Sequence, residues 1–215
     1  MREITWLQVS DIHMRQRDEW SQDVVLRAMA DSIRQRRSQG LVLDFILATG
    51  DLAFSGKKEE YDLVERFFDE LVSASGVTRE RIFCIPGNHD VNRDRQKLCF
   101  QGARTSLMSP NAVDPVLAPK SDDLATLTQR QEAYRAFQTS YFSGQIRTVT
   151  PDDLAYVSSL TIDDVVVAIV GLNSAWLAEG GNSDHCNLLI GERQVINAFE
   201  ASEKLDAHIV IAMAH

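Results

Sequence analysis

Four apolar runs of this sequence each end in side chains that can bind metal ions. The runs finish in Asp11-Ile12-His13, in Gly50-Asp51, in Gly87-Asn88-His89-Asp90 and in His215. Short apolar runs of this kind are typical of buried strands, and open α/β sheets collect their ligands at the carboxyl ends of the strands. Because four distant runs deliver polar side chains in the same way, we expect these side chains to meet at one edge of a sheet.

The first ninety residues alternate between strand-like and helix-like patterns. We predict strands at Ile4–Val9, Leu41–Ala48 and Ile82–Ile85, where apolar residues run together. Between them, apolar side chains recur at helical spacing, which predicts one helix from a capping Ser21 to Gly40 and another over about Glu59–Ser75. Strands that alternate with helices favour a parallel sheet.

The chain changes character after the third strand. We interpret the polar segment 91–155 as an insertion that forms a cap or rim rather than a second domain, with one amphipathic helix over about Asp122–Phe142. Beyond it, the pattern predicts a β-hairpin, a helix and a last strand. These elements cover Tyr156–Thr161 with Val165–Gly171, then Glu192–Glu203, then His208–Ala214.

Composition narrows the classes of partner and compartment. With 22 Lys and Arg against 31 Asp and Glu, the net charge of −9 argues against binding to extended duplex nucleic acid, although divalent cations would reverse the potential inside a cleft. The three cysteines show no CxxC spacing, which indicates a reduced, intracellular setting. No signal-peptide pattern opens the chain, and no apolar stretch approaches the roughly 18 residues that cross a bilayer. We therefore predict a cytoplasmic protein without a membrane span.

The donor atoms of the four terminal groups favour particular metals. Carboxylate and amide oxygens mixed with imidazoles suit Mn, Fe, Zn or Ni, whereas a structural zinc site would favour thiolates. One carboxylate can bridge two such ions at roughly 3.5–4 Å, the spacing used for displacement at phosphorus.

Taken alone, most of these groups could also be ordinary turn or loop residues that bind no metal. Asp11 and His13 could form a simple turn, and Gly50-Asp51 is a common loop dipeptide. Gly87-Asn88-His89-Asp90 is more specific, because it places a glycine, an amide, an imidazole and a carboxylate directly after a strand. The four groups together favour a shared site over four unrelated loops.

The motifs resemble those of the calcineurin-like metallophosphoesterase superfamily, of the bacterial intracellular type. That family carries DxH, GD, GNHD, a histidine at the end of a strand and finally GHxH, and the first four occur here in order. Ser10 and the segment Gly171-Leu172-Asn173-Ser174 add softer similarity. The resemblance covers most of the chain outside 91–155. It implies an α/β fold, a four-layer α/β/β/α sandwich of two mixed sheets flanked by helices, here with a helical insertion.

The resemblance also implies roles for individual residues. Asp11 and His13 would bind the first of two metal ions, Asp51 would bridge both, and Asn88 and His215 would bind the second. His89 would contact the phosphoryl group or protonate the leaving alkoxide, and Asp90 would fix the tautomer of the His89 ring. A hydroxide bridging the two metals would be the nucleophile. Manganese is the ion we expect to support activity in vitro.

The final GHxH motif is absent, since the sequence stops at His215. We expect this chain to be one part of a longer protein in which that motif and the last strands follow, with further domains or oligomerisation. The alternative is a chain whose metal shells are incomplete.

The family resemblance implies a metal-dependent phosphoester hydrolase, and we expect it to be a phosphodiesterase on a nucleotide-type substrate. Arg93 and Asn173 are candidates for contacting that substrate, with a solvated loop as the alternative for Arg93. Two other hypotheses stay open: a nuclease of the same fold, and a non-catalytic sensor or assembly module within a longer protein.

Overall fold

Three parallel strands form the first sheet. In the computed structural model, which describes residues 3–16, 19–95, 97–107, 110–179 and 182–215, they are β1 (Trp6–Val9), β2 (Phe45–Thr49) and β3 (Ile82–Ile85), in the order β1-β2-β3. Helices α1 (Glu19–Ser38) and α2 (Lys58–Ser75) make the crossovers between them. The predicted strand–helix alternation is confirmed. Because α1 already begins at Glu19, the expectation that Ser21 caps it is wrong.

Helix α2 shows why its sequence folds as predicted. Its apolar stripe is buried against the first sheet, and Gly76 ends the helix in a left-handed conformation (φ 78°) while its amide bonds to the Val72 carbonyl. At the other end, the Glu60 carboxylate accepts hydrogen bonds from the amides of Ser55 and Lys57. Local contacts therefore cap both ends of the helix.

The second sheet contains four strands. They are β4 (Thr148–Val149), β5 (Ala155–Ile162), β6 (Val165–Leu172) and β7 (Ile209–Met213), in that order. The β5–β6 hairpin is confirmed, and its turn places Asp163 at φ 51°. Helix α7 (Glu192–Glu203) then returns the chain so that β7 pairs parallel to β6, which makes this sheet mixed while the first is parallel.

Alternating side chains of β2 and β3 divide the core into layers. Ile46 and Ala48 of β2 face the cluster shared with α1 and α2, whereas Phe45 and Leu47 pack against the second sheet. On the far side of the second sheet, Val157 and Val170 pack in a cluster with apolar side chains of α7. The four-layer α/β/β/α arrangement is thus confirmed.

The segment 91–155 is mostly helical, with β4 near its end, and its helices pack in two places. Its helices are α3 (Lys97–Leu107), α4 (Pro110–Val116), α5 (Asp122–Thr128) and α6 (Glu132–Tyr141). Helix α6 packs in the main core through Tyr134, Phe137 and Tyr141, while α3 to α5 form a smaller cluster around Leu117 and Trp176.

The single helix predicted over Asp122–Phe142 is wrong, because a 3-10 turn at Gln129–Gln131 interrupts it. Arg130 is buried there, and its carbonyl accepts a hydrogen bond from the Asn92 amide. The chain therefore passes from α5 to α6 at a residue that is tied to the loop after β3.

No helix within the described ranges has the length and apolar character that a bilayer crossing requires.

Candidate metal centre

The side chains expected to bind metal lie at the carboxyl ends of strands from both sheets. Asp11 and His13 follow β1, Asp51 follows β2, Asn88 and His89 follow β3, and His215 follows β7. Strand ends at one edge of packed sheets bring together residues that are far apart in the sequence. The structure therefore brings together every metal ligand that the sequence predicts.

Three of these residues have strained backbones. Asp11, His13 and Asp51 have φ angles of 56°, 51° and 53°, in the left-handed region that only a few per cent of residues other than glycine adopt. The Asp11 amide bonds to the Gly50 carbonyl (3.1 Å) and the His13 amide to the Asp51 carbonyl (2.9 Å). These bonds couple the loops after β1 and β2 and hold the strained conformations, which commonly occur at functional sites.

Two glycines allow the loops to approach closely. A Cβ atom on Gly87 would overlap the Asp51 carboxylate and the Asp51 amide nitrogen. Gly50 has a φ of 99°, and a Cβ there would lie 2.6 Å from Nδ1 of His215. The glycines of the GD and GNHD motifs are thus required by contacts at the site.

Asp51 lies at the middle of the centre. Its Oδ2 is 3.7 Å from Nε2 of His13, and its Oδ1 is 3.5 Å from Nε2 of His215. Oδ1 also accepts a hydrogen bond from the His89 amide at 2.7 Å. Asp51 belongs to two groups of donor atoms that lie within 4.8 Å of one another, one with His13 and His89 and one with Asp11 and His215.

His215 shows that this arrangement fits a cation. Its Nδ1 lies 2.9 Å from the Thr49 carbonyl, which only accepts, so Nδ1 carries a proton. Its Nε2 faces Asn88 Oδ1 at 3.2 Å and Asp51 Oδ1 at 3.5 Å, both of which also only accept. Nε2 of His215, Oδ1 of Asn88 and Oδ1 of Asp51 are therefore three acceptor atoms that face one another. A proton or a metal ion must lie between them. In the metal-free protein a proton on Nε2 of His215 fills this position and forms a hydrogen bond to Asp51. This hydrogen bond outweighs the effect of burial and raises the pKa of His215 to about 9.

Opposing effects set the charges of the other central groups. Burial works to raise the pKa of Asp51, but hydrogen bonds from His215 and from the His89 amide outweigh it, so this pKa is lowered. Burial lowers the pKa of His13 despite the nearby carboxylate of Asp51. An ionised carboxylate beside a neutral imidazole is the protonation state that metal binding requires.

His89 is oriented by a backbone carbonyl. Its Nδ1 lies 2.8 Å from the carbonyl oxygen of Phe54, which indicates that Nδ1 is protonated and that Nε2 is the basic nitrogen. A guanidinium nitrogen of Arg93 is 3.0 Å from the same Nδ1, but two donors cannot bond to each other in that tautomer. The His89 ring also packs edge-on against His13, with centroids 4.5 Å apart.

Asp90 is completely buried and does not hold the His89 ring. Its carboxylate accepts hydrogen bonds from the amides of Leu52, Ala53 and Gly87 and from the Tyr61 hydroxyl, at 2.8–3.1 Å. Burial raises the Asp90 pKa to about 6, although these amide hydrogen bonds work against the rise. The expected contact between Asp90 and His89 is replaced by the Phe54 carbonyl, and Asp90 instead joins the loops after β2 and β3.

The two substrate-binding candidates differ in their surroundings. Arg93 lies beside His89, and its Nε is buried without a hydrogen-bond partner among the described residues. Asn173 pairs with Gln131 through both amide groups and accepts a hydrogen bond from the Ala175 backbone. These contacts hold the Asn173 amide in place, and its role in contacting substrate stays a prediction.

Sequence reasoning missed two backbone carbonyls that orient the imidazoles. Thr49 and Phe54 act through main-chain oxygens, so their side chains carry no signal of this role. Tyr61 lies in the apolar stripe of α2, where its ring packs in the core, but its hydroxyl also donates to Asp90. A tyrosine in an apolar stripe is a weak indication of a buried polar partner.

Sequence comparisons match the chain to known proteins. The profile of the calcineurin-like phosphoesterase family matches residues 4–126, more than half of the chain. An uncharacterized metallophosphoesterase-like protein of Bacillus subtilis (strain 168), YydB, is 26% identical over 128 residues. These residues make up 60% of this chain and 26% of that protein, so the chain spans about a quarter of the relative's length. The chain belongs to the calcineurin-like phosphoesterase family, a family of metal-dependent phosphoester hydrolases.

Proposed function

We propose that the chain hydrolyses a nucleotide-type phosphodiester at a centre of two divalent metal ions. The position of Asp51 carries this proposal, because its two carboxylate oxygens face different imidazoles, those of His13 and His215. A carboxylate shared between two donor groups is the arrangement that bridges a pair of ions.

The donor atoms divide between two positions. Asp11 also lies 3.8 Å from Nε2 of His13 through its Oδ1, so these two residues would hold the first ion, in keeping with the family resemblance rather than with the two groups of neighbouring donor atoms. Asn88 and His215 would hold the second ion, and Asp51 both. When bound, the ions would neutralise charge on the phosphoryl oxygens and lower the pKa of water from 15.7 towards about 7. Manganese fits these oxygen and nitrogen donors and is the ion that we propose for assays.

His89 would act on the leaving group. With Nδ1 donating to Phe54, Nε2 is the nitrogen that would take up a proton from solvent and then give it to the departing alkoxide. Arg93 lies beside this ring and would donate to a phosphoryl oxygen. Asp90 would contribute by holding Gly87 against the loop after β2.

Charge favours a small or end-on substrate. The net charge of −9 opposes the approach of an extended polyanion, whereas a single nucleotide presents few charges outside the metal centre. Cyclic nucleotides and other nucleotide diesters are therefore the substrates to test first.

Hydrolysis of bis-p-nitrophenyl phosphate with Mn²⁺ tests this proposal, with p-nitrophenyl phosphate as the monoester comparison. We expect the diester to be preferred and EDTA to abolish turnover. His89→Ala should lower kcat by about 10²-fold or more while two ions stay bound, because it removes a proton donor. His208→Ala is the matched control, since His208 is exposed at the other end of β7.

Absence of turnover with any divalent ion, in a protein that still binds two ions, would favour a non-catalytic module. Preference for single-stranded or duplex DNA over nucleotide diesters would instead indicate a nuclease.

A further inference from the structure

A buried ion pair lies behind Asn88, on the side away from His215. The Asp184 carboxylate is 3% exposed, and its Oδ1 accepts hydrogen bonds from Nη1 of Arg104 and from the Glu179 amide, each at 2.8 Å. Its other oxygen, Oδ2, lies 3.4 Å from Nδ2 of Asn88. Arg104 belongs to α3 and Asp184 to the loop between β6 and α7, so neither is part of a metal motif.

The contact with Asp184 decides which way the Asn88 amide points. An asparagine amide has an oxygen end and a nitrogen end, and only the oxygen can bind a metal ion. A carboxylate only accepts hydrogen bonds, so the nitrogen of Asn88 must face Asp184. The oxygen then faces Nε2 of His215, 3.2 Å away, where the second ion would bind.

Arg104 in turn fixes Asp184. Its side chain is largely buried and also lies near the carbonyls of Leu177 and Ser183 and the carboxylate of Glu179. A buried carboxylate keeps its charge and position only when donors surround it. The guanidinium therefore holds the Asp184 carboxylate in place as an acceptor for Asn88.

We propose that Asp184 and Arg104 are positioning residues that set the metal affinity of the second site by orienting Asn88. This inference rests on the proposed function only in treating Asn88 as a metal ligand. It makes α3 and the loop after β6 part of the machinery that prepares the metal centre, although they carry no metal ligand of their own.

Mn²⁺ titration of the purified chain, followed by calorimetry and by the electron paramagnetic resonance spectrum of bound Mn²⁺, tests the proposal. Asp184→Asn should weaken one of the two sites about 10- to 100-fold, the usual effect of losing a partner behind a ligand. The spectrum of an interacting ion pair should give way to that of a single ion at the same Mn²⁺ concentration. Asp164→Asn removes the same charge from the exposed β5–β6 turn and should leave both affinities unchanged.

An exchange of the two side chains separates positioning from general stability. In the double variant Asn88→Asp with Asp184→Asn, a carboxylate faces the metal and an amide stands behind it, able to donate to that carboxylate. We expect this variant to recover the second site to within about threefold of the original affinity. A structural defect caused by loss of the Arg104 pair would persist in the exchange, because Arg104 still lacks its anion.

Arg104→Lys provides a milder variant in case Asp184→Asn lowers folding stability too far. It retains one positive charge but loses the fork of donors, and should weaken the same site by a smaller factor. Equal weakening of both sites, or failure of the exchange to recover affinity, would overturn the proposal. If the original chain binds two ions without turnover, the proposed function fails while this inference is still tested by affinity.

Discussion

Asp11, His13 and Asp51 carry strain at the residues that would bind metal. A left-handed backbone at a residue other than glycine costs of order 1–3 kcal/mol. Hydrogen bonds between the loops after β1 and β2 hold these conformations, so the donor atoms stand in place before an ion arrives. Because these donor atoms are already in place, metal binding loses less conformational entropy.

At Gly87 the absence of a side chain is a requirement. We expect Gly87→Ala to displace Asp51 and to weaken both metal sites by at least about tenfold, because the methyl group would overlap the Asp51 carboxylate and backbone. Titration with Mn²⁺ measures this. Gly102→Ala in α3 is the matched control, since a Cβ there has open space, and it should raise helix stability by about 0.5–1 kcal/mol. Unchanged metal affinity in Gly87→Ala would contradict the close approach.

His215 gives metal binding a pH dependence. Its pKa in the metal-free fold is about 9, above the ordinary 6.5, so its protonated form stabilises that fold fully below pH 6.5, and this contribution is lost as the pH rises to 9. A metal ion must displace the proton. We expect Mn²⁺ affinity to rise about tenfold per pH unit from 6.5 to 9 and then level off.

Calorimetry in buffers of different ionisation enthalpy counts the protons released on binding. The count at pH 7.5 should be close to one and should disappear in His215→Asn. His208→Gln should leave it unchanged, as the exposed control. A flat affinity between pH 6.5 and 9 would show that no proton competes with the metal.

At the scale of elements, Asp90 joins parts of the fold that the metal loops depend on. Its carboxylate binds amides from the loops after β2 and β3 together with the Tyr61 hydroxyl on α2. Asp90→Asn would turn an NH₂ group towards amides that can only donate. We expect it to lower the free energy of unfolding by about 2–4 kcal/mol, measured by urea denaturation in EDTA.

Tyr61→Phe removes one of these hydrogen bonds without introducing a donor, and should cost about 1 kcal/mol. An Asp90→Asn variant as stable as the original chain would mean that these loops are held together by other contacts.

A buried arginine lies at the break between α5 and α6. Arg130 donates to the Ala178 carbonyl at 2.8 Å and stacks on Phe100, with its guanidinium carbon 3.8 Å from the ring centroid. Arg130→Leu should cost about 2–4 kcal/mol in urea denaturation, because buried carbonyls lose their donor. Arg34→Leu on α1 removes an exposed ion pair with Glu70 and should change stability by at most about 1 kcal/mol.

If Arg130→Leu and Arg34→Leu lowered the free energy of unfolding by the same amount, the buried contacts of Arg130 would contribute no more to stability than an exposed ion pair.

The spacing of apolar residues predicted most helices and strands, because the apolar face of each element is buried between the layers of the fold. Ile82–Ile85 and Glu192–Glu203 were predicted with the bounds the structure has; Pro86-Gly87 follows the strand and Gly191 precedes the helix. The helix break at Arg130 was missed, since a buried arginine looks like a surface residue in sequence. The candidate metal ligands were predicted from their places after strands, whereas the Asp184 contact joins residues 96 positions apart and leaves no local pattern.

For the whole molecule, two packed sheets bring distant strand ends to one place in an otherwise acidic chain. β1 to β3 supply the donors of the first sheet, and β7 of the second sheet adds His215. The packing of Phe45 and Phe83 against the second sheet therefore supports the position of His215. Metal removal should lower the thermal midpoint, because ions bound only to the folded state stabilise it. Scanning calorimetry with and without EDTA measures this shift.

Diffraction from crystals grown with Mn²⁺, collected at the manganese absorption edge, tests the central claim most directly. The account predicts two anomalous peaks about 3.5–4 Å apart with the Asp51 carboxylate between them, one beside His13 and the other beside Asn88 and His215. A single peak, or two peaks that Asp51 does not contact, would contradict it.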